Sequence, residues 1–166
     1  RVLCFRQYLE YPIRSALGEW KHRNAMNIVI ETNEGIFGLG ETFVNFPQWS
    51  HFERKATVLE GVRSLLIGLN PLNISHIHET LERILIRIGT QWGAAGIMYQ
   101  VLSGVDIALW DIKGKWENVS VHKLLGGTKK TVPVYSTGLD PYTLEEGVRV
   151  GKEKNIKWYK LKIGFG

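Results

Sequence analysis

Two lysines one residue apart, Lys160 and Lys162, stand in the run Lys157-Trp158-Tyr159-Lys160-Leu161-Lys162-Ile163-Gly164. Successive side chains of a strand point to opposite faces, so both ammonium groups project one way while Tyr159, Leu161 and Ile163 pack on the other. Two like charges on one face of an otherwise apolar strand repel each other and resist burial. Such a pair belongs at an exposed edge or at a site that uses the charge.

Other chemistry-bearing residues carry less. His76 and His78, two apart on a helical stretch, diverge and cannot share a metal, so they read as solvated helix histidines. Asp106 and Asp111 lie on different sides of a mostly apolar helix, which favours structural hydrogen bonding or ion pairing over acid/base work. Cys4 has no base nearby in sequence, and no G-x-S-x-G elbow occurs, so nucleophilic catalysis has no support. Gly35-x-x-Gly38-x-Gly40 sits in a hairpin rather than opening a helix, so these glycines are structural rather than a dinucleotide site. Gly126-Gly127-Thr128-Lys129 lacks phosphate-loop spacing and reads as a helix C-cap followed by a turn.

The elements that would position the lysines follow from periodicity. Val2 to Pro12 and Asn27 to Thr32 read as strands, Asn33-Glu34-Gly35 as a turn, and Ile36 to Thr42 as the returning strand. Loops are expected at Ser15 to Arg23 and at Phe43 to Ser50. Helices follow at His51 to Ile67, about Ile74 to Ile88, and Ala95 to Trp116; the last is apolar over so wide an arc that it should be buried. After Gly126-Gly127 the pattern becomes strand (Thr131 to Thr137), helix (Thr143 to Asn155) and strand (Lys157 to Ile163), which implies parallel pairing with a crossover helix.

Composition narrows the function classes. The 166 residues are 44% hydrophobic and 22% charged, as in an ordinary soluble domain. No apolar run approaches the roughly 20 residues of a membrane helix, so no membrane partner is expected. The net charge of +5 is scattered, without a basic stripe or a nucleic-acid-binding signature, so no nucleic-acid partner is expected. A single cysteine and no signal-peptide pattern point to a reducing, cytoplasmic setting.

Three segments in order resemble a known family. The helix Gly104-Val105-Asp106-Ile107-Ala108-Leu109-Trp110-Asp111-Ile112-Lys113-Gly114-Lys115, followed by Val121-x-x-Leu124-Leu125-Gly126-Gly127, resembles the signature of the mandelate racemase/muconate lactonizing group of the enolase superfamily. Gly38-Leu39-Gly40-Glu41 is similar to the end of that family's N-terminal hairpin, and Lys160-Leu161-Lys162 to its K-x-K motif. The resemblance implies an α+β capping domain (residues 1–126) followed by the first two strands of an incomplete (β/α) TIM-type barrel (127–166). It also implies abstraction of the proton α to a carboxylate, with a Mg²⁺-stabilised enediolate. Lys162 would be the base and Lys160 its electrostatic neighbour; a second ammonium lowers the pKa of the first, as a lysine base requires.

The same resemblance puts Thr137, with Tyr135, at a substrate-contacting position. It also makes the loops at 15–23 and 43–50 the specificity elements, with Trp20, Lys21 and His22 as an aromatic and cationic wall for an acid substrate. The expected partner is a small carboxylic acid, and the full-length protein is expected to be a homo-oligomer. A sugar-acid dehydratase is favoured, then a racemase or epimerase, then a cycloisomerase. The family's carboxylate metal ligands belong to later barrel strands, so this chain is expected to be a fragment with no metal ligands and no turnover. The competing reading is a non-catalytic interaction module that keeps only the capping fold.

Overall fold

A computed structural model describes residues 1–15 and 18–163. These divide into two compact units, one of residues 1–8 with 23–127 and the other of 9–22 with 128–166. No helix among the described residues is long and apolar enough to cross a membrane.

In the first unit an antiparallel sheet of order β1-β2-β3 is formed by β1 (Val2–Ser15), β2 (Gly18–Glu31) and β3 (Phe37–Thr42). β2 and β3 pair in continuous register from Met26 opposite Thr42 to Glu31 opposite Phe37. The two long strands carry their outer parts, 9–15 and 18–22, into the second unit. The expected loop at 15–23 is therefore corrected: from Gly18 onward it is strand, and only Ala16 and Leu17 fall outside the described residues. The signal was present in the sequence. Trp20, His22, Asn24, Met26 and Ile28 are each more buried than the residues between them, a period-2 run that continues the recognised strand toward its N-terminus.

The helical layer begins with α1 (Ser50–Ala56), a π-helical segment (Thr57–Val62) and α2 (Arg63–Leu66), which together occupy the single helix expected there. α3 (Ile74–Trp92) runs one turn beyond its expected end, and α4 (Ala95–Trp116) has the bounds read from the sequence. Their apolar faces meet over the sheet. Met26 and Ile28 of β2, Ile77, Leu81 and Leu85 of α3, and Met98, Val101, Leu102, Val105 and Leu109 of α4 form one buried cluster. Removing such side chains from water is the dominant favourable term in folding, at roughly 1.5–3 kcal/mol each.

The signature helix earns its residue types here. A Cβ on Gly38 would lie 1.9 Å from the Ala108 carbonyl oxygen, and one on Gly40 would lie 1.9 Å from that of Gly104. β3 thus lies backbone-to-backbone on α4, which bare glycines permit. Asp111 then accepts a hydrogen bond from the Leu39 N–H (2.9 Å), and Lys115 Nζ donates to the Phe37 carbonyl and to Asp111 (2.7 Å each). These contacts occupy hydrogen-bonding groups on the exposed edge of β3. Asp106 accepts from or shares a proton with His78 Nδ1 at 3.0 Å. Both aspartates of the helix are structural, as is the glycine pair on β3.

α5 (Val121–Leu124) ends in the expected cap. Gly126 adopts φ +79°, its N–H donates to Lys123 O, and that of Gly127 donates to His122 O. The second unit is a parallel β4-α6-β5 crossover, with β4 (Ser136–Leu139), α6 (Leu144–Glu153) and β5 (Tyr159–Leu161). Both strands are shorter than expected. β4 starts at Ser136 rather than Thr131: Pro133 has no N–H to donate, Val132, Val134 and Tyr135 are exposed, and Ser136 N–H makes the first ladder bond, to Trp158 O.

Candidate functional site

The lysine motif lies on β5 and just beyond it. Tyr159 packs onto α6, where a Cβ on Gly151 would meet its ring, and its hydroxyl donates to Ile156 O, just past the helix, at 3.0 Å. Alternation along β5 puts Lys160 on the face opposite Tyr159, and Lys162 follows just past the strand. Leu161 and Ile163 were expected to pack opposite the lysines, but they are 51% and 88% exposed, so Tyr159 alone anchors that side.

Lys162 is not isolated. Its Nζ donates to the main-chain carbonyl of Arg14 at 2.9 Å, and its own N–H donates to Leu139 O at 2.7 Å. The Arg14 guanidinium lies 5.0 Å above the Tyr142 ring and 3.3 Å from Glu19. Within this unit, therefore, the end of β1 lies against both Lys162, just past β5, and Tyr142, ahead of α6.

At the end of β4, Asp140 is buried (6% exposed) and fixes the turn into α6. Its Oδ1 accepts from the Tyr142 and Thr143 N–H groups (3.0 Å each) and from the Thr143 hydroxyl (2.9 Å). Burial alone would raise the Asp140 pKa. The Thr143 hydroxyl, the two N–H donors and the nearby Lys162 charge outweigh it, holding the carboxyl below its ordinary 3.8. Sequence reasoning passed over both Arg14 and Asp140. Asp140-Pro141 ahead of a helix was a legible turn signal, whereas Arg14 was assigned to no function because the strand was read as ending at Pro12.

The predicted substrate residues are distributed less simply. Thr137 is on β4 and exposed; Tyr135 precedes the strand, so the two do not alternate along it as expected. Trp20, Lys21 and His22 stand on β2, not on a loop. Trp20 and His22 share one half-buried face, and Lys21 points to the other, exposed, so the three do not form a single wall.

The second expected specificity segment, 43–50, belongs to the first unit and is pinned. Asn24 donates its main-chain N–H to Asn45 Oδ1 (3.1 Å) and its side-chain amide to Gln48 O (3.0 Å), while accepting from Arg6 Nε (3.1 Å). Ser50 Oγ donates to Val44 O (2.8 Å) and Thr42 Oγ1 to Gln100 O (2.6 Å). Gln100 Oε1 in turn receives the buried Arg54 guanidinium through both Nε and Nη2, and Arg54 Nη1 reaches Glu53 at 2.7 Å. Burial pulls the Arg54 pKa below its ordinary value, with Glu53 pulling it back.

Among the described residues no three His, Cys, Asp or Glu side chains converge to hold a metal ion. The side chains present therefore do not fit the divalent ion that the family resemblance implies.

An antiparallel three-stranded sheet under a helical layer has the architecture of an enolase-type capping domain, and a parallel β-α-β unit follows it in the chain. The profile of the mandelate racemase / muconate lactonizing enzyme N-terminal domain matches residues 1–126, and the chain belongs to that family. It is 34% identical to a D-galactonate dehydratase family member of Musicola paradisiaca, over 83% of this chain and 32% of that protein. It is 31% identical to a D-galactarolactone cycloisomerase of Agrobacterium fabrum, over 100% of this chain and 43% of that protein. Its fold superposes with TM-score 0.82 on a racemase of Streptomyces coelicolor solved with bound magnesium, at 26% identity, over 99% of this chain and 46% of that one. The chain thus spans about a third to under half of the length of these relatives.

Proposed function

We propose that these residues belong to an enzyme that removes the α-proton of a sugar acid, with dehydration as the reaction. Lys162 is the base: its amine takes the α-proton and the carboxylate delocalises the electron pair as an enediolate, which expels the β-hydroxyl as water with a proton supplied by solvent, and the enol left behind ketonises to the 2-keto-3-deoxy acid. Lys160, two residues before it on β5, is assigned as its electrostatic neighbour. The observation that carries this reading is the Lys160/Lys162 pair on and just beyond β5, in a chain whose relatives are named for sugar-acid and sugar-lactone reactions. Thr137 and the Trp20/His22 face are assigned to substrate contact, with racemisation and cycloisomerisation as the competing outcomes.

Residues 1–166 alone are proposed to give no turnover. The described residues bring together no metal-binding set, and Ala16, Leu17, Gly164, Phe165 and Gly166 carry no carboxylate. One observation favours a second reading, a non-catalytic module: Lys162 Nζ is already engaged by the Arg14 carbonyl. The test incubates the complete open reading frame product containing this sequence with Mg²⁺ and a panel of aldonic and aldaric acids and lactones. Formation of 2-keto-3-deoxy acids supports dehydration, epimers or opened lactones support the competing reactions, and no conversion of any panel member supports the module.

A further inference from the structure

Lys162 is held at both ends. Its main-chain N–H donates to Leu139 O at 2.7 Å, and its Nζ donates to Arg14 O at 2.9 Å. The amine ends a flexible four-carbon stem, which would otherwise sample many rotamers. A carbonyl oxygen only accepts, so the Arg14 contact engages one N–H and leaves the lone pair of a neutral amine open.

The two holders are linked through one turn. Leu139 opens it, and next to Leu139 the buried Asp140 accepts from the Tyr142 N–H at 3.0 Å. The Tyr142 side chain is 73% exposed and gains little from burial; its ring instead faces the Arg14 guanidinium, 5.0 Å from the ring centroid. Glu19 on β2 accepts from Arg14 Nε at 3.3 Å. Arg14 thus uses its side chain to grip Tyr142 and Glu19 and its carbonyl to grip Lys162. The circuit of Leu139, Asp140, Tyr142, Arg14 and Lys162 closes within one compact unit.

We infer that Arg14 and Tyr142 are positioning residues for the Lys162 amine. The ring fixes the guanidinium, the guanidinium fixes the end of β1, and the main-chain carbonyl there aims the amine. The inference rests on Lys162 being the base, and it gives neither residue a contact with the reacting atoms. Misplacing a reacting group by about 1 Å can cost about 10²-fold in rate, so a contact this far from the α-carbon bears on turnover.

The test uses the complete polypeptide with Mg²⁺ and an acid that it turns over, and compares Tyr142→Phe, Tyr142→Leu, Arg14→Leu and Arg14→Leu/Tyr142→Leu. Arg14→Leu keeps the main-chain carbonyl and removes only its anchor. Each single leucine variant should lower kcat about tenfold with KM changed less than about twofold. Tyr142→Phe, which keeps the ring face, should retain kcat within about twofold. The double variant should be no slower than either single one, because all three break the same link. A second readout needs no turnover: in trace acetylation followed by peptide mass spectrometry, Lys162 should react about twofold or more faster in the leucine variants, with Lys160 as internal reference. Rate losses that multiply in the double variant, a raised KM at unchanged kcat, equal losses in Tyr142→Phe and Tyr142→Leu, or unchanged Lys162 labelling would each overturn the inference. An unmodified protein that turns over no acid would instead sink the assignment of the base, and the labelling would still decide whether Arg14 and Tyr142 hold the amine.

Discussion

Gly40→Ala tests the seam on which the capping domain is built. The added methyl would start 1.9 Å from the Gly104 carbonyl oxygen and 2.7 Å from the Ala108 nitrogen, both main chain and unable to swing aside. An ordinary carbon–oxygen contact is about 3.3 Å, so β3 and α4 must separate by roughly 1.4 Å. Overpacking of this kind costs about 1–3 kcal/mol. The same displacement lengthens the Leu39 N–H to Asp111 and Lys115 to Phe37 bonds, adding about 1.5 kcal/mol or more for bonds to charged groups. The expected loss is therefore about 2.5–4.5 kcal/mol in urea unfolding followed by far-UV circular dichroism. Gly61→Ala is the control. It lies in the π-helical segment with nothing within 4 Å of its would-be Cβ, and it should stabilise by about 0.5–1 kcal/mol. If Gly40→Ala falls within about 0.5 kcal/mol of the unmodified protein, the close-packed seam is refuted.

Three further outcomes follow. Gln100→Leu strips the buried Arg54 guanidinium of its Gln100 acceptor and should cost about 3 kcal/mol, whereas Arg54→Met/Gln100→Leu should recover much of that loss in the same denaturation assay. Asp140→Ala should cost about 1–3 kcal/mol at pH 7, because it leaves the Tyr142 and Thr143 donors of the turn before α6 without their acceptor. Because the folded Asp140 pKa is depressed, its contribution is present above the ordinary 3.8 and is lost as pH falls through the folded value. The gap between Asp140→Ala and the unmodified protein should therefore narrow in melts near pH 2 to 3, and an unchanged gap there would contradict the cause assigned to the shift. Asn24→Ala should release the 43–50 segment, raising hydrogen-exchange rates at Gln48 and Ser50 while leaving α4 protected; uniform protection would show that the segment is held by other contacts.

Much of this was legible from residue pattern. α4 could be read to its ends because its apolar residues form an almost unbroken arc, and the β-α-β run announced parallel pairing before any strand was seen. Where the reading failed, polar and apolar signals competed. Glu19 to Arg23 looked like a loop by composition, yet Trp20 and His22 continue a two-residue period set further along by Asn24 and Met26. Thr131 to Tyr135 has strand-forming residues but a proline among them, and pairing decides such cases rather than propensity. The contact between Lys162 and the Arg14 carbonyl spans 148 positions and uses a main-chain oxygen, a type of partner that residue identity does not reveal.

The central claim is that Lys162 removes a proton α to a carboxylate. Its most direct measurement is loss of the α-proton resonance of an acid turned over in D₂O, followed by proton NMR with the complete polypeptide and Mg²⁺, a readout shared by dehydration, racemisation and exchange. Loss of that proton above the uncatalysed rate, abolished in a folded Lys162→Ala variant and retained at reduced rate in Lys160→Ala, is the predicted result. Undiminished loss in Lys162→Ala would contradict it.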